Sequence, residues 1–434
     1  MIAEVRLWGR TIGAVSWREE HDYASFQYTP EFAASAVQVA PLTLPLNDRV
    51  YEFPELPRHT FRGLPGLLAD SLPDTFGNAL IDAWLATQGR TADSFDPVER
   101  LCYIASRGMG ALEFRPARGP TPGKAAAIAV DALVRLASEI LTHRERLTGS
   151  FDTALKRKAL ADILRVGTSA GGARAKAVIA WNPTTNEVRS GQVRADEGFE
   201  HWLLKFDGVS GNKDRELDDP KGYGAVEYAY SLMARAAGIR MTPCRLLEEH
   251  GRRHFMTQRF DRLAGNQKLH MLSLGAIAHV DFNQAGAYGY EQAFLTMREL
   301  GLPASDLEQQ FRRMVFNIVA RNQDDHVKNI AFLMDKTGRW SLSPAFDVTY
   351  SYNPSGSWTA SHQMTLNGKR DRFTMHDIRS GARSASVKRG RADAITDEVL
   401  TAVARWSRFA AEADVPGRVR TRIHKAHRLD IPGA

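Results

Sequence analysis

Cysteine is scarce in this sequence, and its scarcity excludes two classes of protein. The 434 residues contain two cysteines, Cys102 and Cys244, too few for a disulfide framework in a chain of this length. They do not form a CxxC pair, the spacing typical of structural zinc sites, so no such site is predicted. A reducing, cytoplasmic compartment is the expected setting.

Long apolar runs are missing as well. No stretch of about 18 apolar residues occurs, as a membrane-spanning helix would require. Glu4, Arg6 and Arg10 interrupt the amino-terminal segment, so we expect no secretory signal there and no membrane contact elsewhere. Hydrophobic residues make up 43% and charged residues 25% of the chain, which is typical of a folded protein and excludes a mainly disordered one.

Net charge is also low, at +7, and it is unevenly distributed. From Arg370 to the end there are 14 Lys and Arg against 8 Asp and Glu, so nearly all of the excess lies there. Such a region could contact a nucleic acid or an acidic partner, or it could be a solvated helical surface. Neutralising Lys388, Arg389 and Arg391 would separate these interpretations.

The length predicts about three domains. We expect a β-rich module over 1–115, a nucleotide-binding lobe over 124–262 and a helical catalytic lobe over 263–434. The Pro- and Gly-rich segment RPARGPTPGKAAA separates the first two. Two hairpins are predicted, AKAVIAW with EVRSGQV and NIAFLMD with RWSLS.

The segment FNIVARNQDDHVKNIAFLMDKTGRWSLSPAFDV carries the strongest chemical signal. Asp324 and Asn329 are five residues apart on a polar loop, and Asp347 follows the predicted hairpin. In protein kinases a loop aspartate accepts the proton of the substrate hydroxyl, and an asparagine and a second aspartate hold Mg²⁺. The alternative interpretation is a polar surface turn with chance acidic residues.

Neighbouring residues add to this assignment. Asp325 competes with Asp324 for the role of base, and the spacing to Asn329 favours Asp324. Lys328 is a candidate for steadying the γ-phosphate, and His326 for holding the loop by hydrogen bonds.

A glycine-rich segment, VGTSAGGARAK, precedes the first predicted hairpin. It differs from a Walker A loop because Ala173 and Arg174 follow the last glycine and a strand comes next. A glycine-rich loop between strand-like segments is the arrangement of protein kinases, and its amides can bind phosphate. The simpler interpretation is a β-turn of small residues.

Two further positions fit a nucleotide lobe. Lys205 ends the apolar strand HWLLKF, where kinases carry a phosphate-binding lysine, although most strand lysines extend to solvent. The segment from Gln258 to Arg262 lies where a hinge would pass an adenine, although Phe260 could simply belong to the core.

The order of these motifs resembles that of the HipA-like serine/threonine kinases, the toxins of bacterial toxin–antitoxin pairs. The resemblance spans nearly the full length and includes FRGLPGLLADSLPD, SAGGARAK, HWLLKF, QRFDR, NQDDHVKN and FDV. It implies an α+β, two-lobed protein-kinase-like fold, with a β-rich amino-terminal module and a mainly helical carboxy-terminal lobe.

The resemblance also implies roles for particular residues. Asp324, with His326 and Lys328, would be catalytic, and Asn329 and Asp347 would hold Mg²⁺. ATP would contact a larger set: Ser169, Ala170, Gly171, Gly172, Lys205, Gln258, Phe260, Asp261 and His326. Ser169 corresponds to the family's autophosphorylation position, and Gln258 stands where the family more usually has a glutamate.

The implied activity is ATP- and Mg²⁺-dependent phosphorylation of a protein Ser or Thr, with self-inhibition through Ser169. The implied partners are a HipB-like, DNA-binding antitoxin, DNA reached through that complex, and a translation-related substrate such as an aminoacyl-tRNA synthetase. Two alternatives are a small-molecule kinase and a non-catalytic corepressor that binds the antitoxin.

Overall fold

The computed structural model describes most of the chain, namely residues 1–119, 128, 130–142, 163–164, 174–191, 197–209, 213–214, 217–218 and 222–433. The chain divides into two compact units. The first contains Met1–Lys221, Arg245–Met271 and Asp335–Gly338, and the second contains Gly222–Cys244, Leu272–Met334 and Arg339–Ala434.

The first unit is rich in strands. Its strands, the tenth of which starts at the unit boundary, are β1 (Ile2–Leu7), β2 (Arg10–Arg18), β3 (Tyr23–Tyr28), β4 (Leu112–Arg115), β5 (Lys176–Trp181), β6 (Val188–Ser190), β7 (Glu200–Lys205), β8 (Lys213–Asp214), β9 (Leu217–Asp218), β10 (Cys244–Glu249) and β11 (Arg252–Gln258). Its helices are α1 (Pro30–Ala33), α2 (Arg58–Phe61), α3 (Gly66–Ala69), α4 (Thr75–Thr87), α5 (Pro97–Ile104) and α6 (Val130–Thr142).

Two main sheets organise this unit. The first has the strand order β3-β2-β1-β4 and the second the order β10-β11-β7-β5-β6. β5 and β6 pair antiparallel with Trp181 opposite Val188, which confirms the first predicted hairpin. β7 alternates, with Trp202 and Leu204 buried, because one face of the strand packs on the core.

One hydrophobic core joins segments that we expected to lie in separate domains. It includes Phe76 and Leu80 from α4 together with Ile179 and Trp202 from the five-stranded sheet. The amino-terminal module, 1–115, therefore shares its packing with the nucleotide-binding segment. The three-domain division remains a prediction about modules of the sequence.

The second unit is mainly helical. Its helices are α7 (Tyr223–Ala236), α8 (Leu274–Ile277), α9 (Tyr290–Glu299), α10 (Ala304–Val319), α11 (Met375–Ser384), α12 (Arg389–Ala404), α13 (Trp406–Glu412) and α14 (Gly417–Ala426). Its strands are β12 (His270–Ser273), which begins at the boundary, β13 (Ala331–Met334) and β14 (Trp340–Leu342). β13 and β14 pair antiparallel, which confirms the second predicted hairpin.

The fold is thus a mixed α/β fold, as the coarse part of the sequence prediction stated. Within the described part of the chain, no helix combines the length and apolarity needed to cross a bilayer.

Candidate active site

The loop that carries the predicted catalytic residues starts where α10 ends. Arg321 adopts a left-handed conformation with φ 57°, which stops the helix and turns the chain. The loop then pairs with a second segment, since Gln323 N donates to Ser351 O at 3.1 Å and Ser351 N donates to Arg321 O at 3.1 Å. These two backbone hydrogen bonds fix the position of the residues that follow.

Asp324 and Asn329 are brought together by a hydrogen bond within the loop. Asn329 Nδ2 donates to the backbone oxygen of Asp324 at 2.8 Å. This bond uses the amide nitrogen and orients the amide oxygen, the atom that binds hard cations. The Asp324 side chain is 18% exposed, and its Oδ2 lies 3.8 Å from His326 Nε2.

Asp347 lies on the same cleft as Asn329. The cleft belongs to the second unit, and Asp325, His326, Asn329 and Asp347 are among its lining residues. Asp347 has φ 52°, a conformation that non-glycine residues adopt at some cost and that is common at functional sites. The predicted hairpin was expected to bring Asn329 and Asp347 to one point, and both residues line this cleft.

The donor set of the cleft fits a magnesium ion. One carboxylate and one amide oxygen are hard ligands of the type that holds Mg²⁺ together with substrate phosphates. Among the described residues there is no cluster of three or more His, Cys, Asp or Glu that could hold a metal ion.

Asp325, the competing candidate for the base, is a buried anchor. Its side chain accepts from Tyr290 Oη at 2.7 Å, from Gln363 N at 2.7 Å and from His362 Nδ1, which lies 2.8 Å away. Burial alone would raise the pKa of this carboxyl, but His362 and the hydrogen bonds hold it below its usual value. A carboxylate so enclosed is poorly placed to meet a substrate, which leaves Asp324 as the better candidate.

Lys328 points toward an aromatic neighbour. Its Nζ lies 5.0 Å from the ring centroid of Phe282, and the same ring lies 5.5 Å from that of His326. Phe282 thus lies beside both Lys328 and His326, a contact that the sequence motif did not reveal. The assignment of Lys328 to the γ-phosphate remains a prediction.

In the first unit, Lys205 occupies the end of β7. It lies opposite Lys176 on β5 and opposite Phe255 on β11, and its Nζ is 5.8 Å from the Phe255 ring centroid. Gln258, the last residue of β11, pairs with Trp202 and is half-buried, as is Phe260. The predicted hinge, Gln258 to Arg262, therefore begins at the end of the strand next to Lys205, and its contact with adenine remains a prediction.

Lys176, opposite Lys205, is a buried lysine that the sequence analysis did not single out. It is 3% exposed and its Nζ lies 3.1 Å from Asp74 Oδ2. Asp74 also caps α4 by accepting from Gly77 N at 2.6 Å. The lysine at the end of GGARAK was the available signal, because a lysine in an apolar strand is rarely buried without a partner.

Asp261, predicted to border the ribose, lies in a closed network. Its carboxylate accepts from Arg259 at 2.9 and 2.6 Å, from Arg262 at 2.7 Å and from Gly110 N at 2.7 Å. Burial alone would raise its pKa, but the two guanidiniums and the amide hold it well below its usual range. These contacts favour a structural role, and a direct ribose contact remains a prediction.

The predicted phosphate loop cannot be placed. Ser169, Ala170, Gly171 and Gly172 lie outside the described residues. Their assignments, including autophosphorylation at Ser169, therefore stay predictions.

Comparison with known proteins gives the class of this fold and then its family. The chain is similar to HipA in the solved complex of the Shewanella oneidensis MR-1 toxin–antitoxin system with HipB and operator DNA. The TM-score is 0.65 at 15% identity, over 98% of this chain and 96% of that one. At this identity the likeness shows the fold alone. A comparison with curated proteins gave no match.

The family follows from two matched models. Residues 168–406, more than half of the chain, match the HipA-like C-terminal domain, and residues 3–115 match the HipA N-terminal domain. The chain therefore belongs to the HipA-like family, which confirms the resemblance seen in its motifs.

Proposed function

We propose that this protein is an ATP- and Mg²⁺-dependent serine/threonine protein kinase and the toxin of a toxin–antitoxin pair. The observation that carries the proposal is the cleft of the second unit, where Asn329, Asp347 and His326 meet beside Asp324. Phosphoryl transfer depends on positioning and electrostatics, and these residue types supply both.

Each residue of the proposed site has its own chemical role. The substrate hydroxyl oxygen attacks the γ-phosphorus, its proton passes to Asp324, and the bridging bond breaks to release ADP. Asn329 and Asp347 would hold Mg²⁺, which neutralises charge on the phosphates when bound. Lys205, on β7 of the first unit, and the amides of the glycine-rich loop would hold phosphate oxygens.

Regulation and partners extend the proposal. Phosphate on Ser169 would add a charge of about −1.5 to −2 where the phosphates of ATP bind, and so inhibit the enzyme. The similar HipA was solved with HipB and operator DNA, which supports a HipB-like antitoxin as partner and DNA contact through it. A translation-related protein, such as an aminoacyl-tRNA synthetase, is the proposed class of substrate.

Labelled ATP tests the activity directly. The purified protein with γ-labelled ATP and Mg²⁺ should incorporate phosphate at Ser169, and Asp324→Asn should slow incorporation by about 100-fold or more. Asp397→Asn is the matched control, because Asp397 is an exposed aspartate on α12 of the same unit. It should label at the wild-type rate.

Three results would count against parts of this proposal. Label confined to residues other than Ser169 would remove the self-inhibition step. Wild-type labelling by Asp324→Asn would remove the base assignment. ATP consumption with label only on small molecules would favour the small-molecule kinase, and absence of ATP binding would favour the corepressor.

A further inference from the structure

The candidate base is held by a tryptophan that no motif marks. Trp358 Nε1 donates to Asp324 Oδ1 at 2.6 Å. The tryptophan lies 34 residues after the aspartate, in a segment of bends and turns that follows Asp347. Both residues belong to the second unit.

The backbone around Trp358 is itself fixed to the same loop. Gln363 Nε2 donates to Trp358 O at 2.6 Å and to Gln323 O at 3.2 Å. One amide therefore joins the backbone at Trp358 to the backbone of the residue that precedes Asp324.

The same segment also hydrogen-bonds to the neighbouring aspartate, Asp325. His362 Nδ1 lies 2.8 Å from Asp325 Oδ2, and Gln363 N donates to Asp325 Oδ1 at 2.7 Å. His362 is fully buried and Asp325 is 4% exposed. Residues 358–363, which we call the clasp, thus hydrogen-bond to both acidic residues of the loop. Buried groups of the clasp bind one of them, and a half-buried indole binds the other.

The chemistry of the indole suits a role beside a base. An indole N–H can only donate, so it stabilises the carboxylate as an acceptor and cannot take up the transferred proton. A hydrogen bond to an ionised oxygen is also stronger than one between neutral groups. Trp358 contacts Oδ1, and Oδ2, which lies 3.8 Å from His326 Nε2, is the oxygen that we assign to the substrate hydroxyl.

We propose that Trp358 is a positioning residue for Asp324, which holds the carboxylate so that Oδ2 receives the hydroxyl proton. The inference rests on the proposed kinase function. In the reaction the hydroxyl oxygen bonds to the γ-phosphorus, the bridging bond breaks with its electron pair leaving on ADP, and the proton moves to Oδ2. Trp358 touches none of the reacting atoms.

The kinetic test separates positioning from stability. Trp358→Phe removes the N–H, and Trp358→His restores a ring N–H in a smaller side chain. Because a misplacement of about 1 Å costs about 100-fold, we expect Trp358→Phe to lower kcat by about 10- to 100-fold, with KM for ATP within about twofold and Trp358→His partly restored. Trp8→Phe is the matched control, since Trp8 Nε1 donates to Lys268 O at 2.7 Å in the first unit. It should retain wild-type kcat.

A spectroscopic arm works without enzyme activity. In ¹⁵N-indole NMR spectra, Trp358→Phe identifies the Trp358 resonance, and Asp324→Ala should shift that resonance and leave that of Trp8 in place. An unmoved Trp358 resonance would overturn the inference whether or not the protein is a kinase. An unchanged or raised kcat in folded Trp358→Phe would also overturn it, because the indole would then be dispensable or would obstruct the substrate. If the wild-type protein transfers no phosphate but the resonance shift is observed, the kinase proposal is overturned. The hydrogen bond between Trp358 and Asp324 is then confirmed, without a role in phosphoryl transfer.

Discussion

Each unit contains a hydrogen-bond network around a buried aspartate, and the two networks differ in whether a neighbouring carboxylate stays exposed. In the first unit Asp261 is fully buried and is enclosed by Arg259, Arg262 and the Gly110 amide. In the second unit Asp325 is equally enclosed, while Asp324 beside it keeps 18% of its side chain exposed. Both networks lie in segments that the sequence analysis assigned to ATP or catalysis.

This difference shows that a sequence motif locates a site, whereas the burial of each side chain distinguishes the roles of the residues within that site. A carboxylate whose oxygens are satisfied by partners inside the chain stabilises the fold. A carboxylate that accepts an indole N–H and still reaches solvent keeps access to a substrate. By this criterion Asp261 and Asp325 fit a structural role, and Asp324 fits the proposed role of base.

The largest expected effect on stability is at Asp261. Asp261→Asn should lower the free energy of unfolding by about 3–5 kcal/mol, because two buried guanidiniums would lose their counter-charge. Asp324→Asn should change it by less than about 1 kcal/mol, since that side chain is partly solvated. Urea unfolding followed by circular dichroism measures both.

Asp93→Asn controls for the substitution, because Asp93 is exposed in the same unit as Asp261. A stable Asp261→Asn protein with weakened ATP binding would reverse the assignment. It would show that the carboxylate serves the nucleotide, as the family resemblance implied.

The sequence was informative where structure is local. Both hairpins follow from short alternating strands and turn residues, and they occur as predicted. Asp324 and Asn329 are five residues apart, so a single loop brings them together. Periodicity and spacing report such short-range features directly.

The same methods could not find the contacts that set the roles. Trp358 meets Asp324 across 34 residues, His362 meets Asp325 across 37, and Gly110 meets Asp261 across 151. Each contact depends on how distant segments pack, which no local pattern encodes. The shared core of the first unit could not be predicted for the same reason, since it includes residues from both sides of the predicted linker.

A buried histidine in the first unit makes the stability of the fold depend on pH. His254 is fully buried in the first unit, and its Nδ1 accepts from Asp207 N at 2.9 Å. Burial lowers the pKa of His254 to about 4, although Asp207 opposes this and Arg252 adds to it; Glu249 Oε1 lies 3.7 Å from Nε2. The unfolded chain binds a proton near pH 6.5, so this stability is present above pH 6.5 and is lost as the pH falls toward 4.

His254→Gln should flatten that dependence. The glutamine oxygen can accept the Asp207 amide and does not titrate, so up to about 3 kcal/mol of acid-dependent destabilisation should disappear between pH 6.5 and 4. His376→Gln, at an exposed position on α11, is the control and should keep the wild-type slope. An unchanged slope in His254→Gln would mean that other groups govern unfolding in acid.

Two helices of the basic carboxy-terminal region, α12 and α14, give the smallest expected effect and extend the comparison to the surface. On α12, Arg391 pairs with Glu308 and Glu398, and Arg389 lies 4.0 Å from Asp393. The cations of α14 make no ion pair with a carboxylate in the described part of the chain; they are Arg418, Arg420, Arg422 and Lys425. More charge that could meet an anionic partner thus lies on α14 than at Lys388, Arg389 and Arg391, since two of those three are paired within the chain.

Binding to labelled operator DNA loaded with the antitoxin, measured over a salt series, can decide between the two helices. Neutralising Arg418, Arg422 and Lys425 to Gln should weaken binding by about tenfold or more and reduce the slope of log affinity against log salt by up to about 3, because each phosphate contact contributes about 0.9. The same change at Lys388, Arg389 and Arg391 should have a smaller effect, since two of these cations already have partners within the chain. Equal losses from the two triple variants would show that internal pairing does not predict which charges serve a partner, and no loss from either would leave the basic region as a solvated surface.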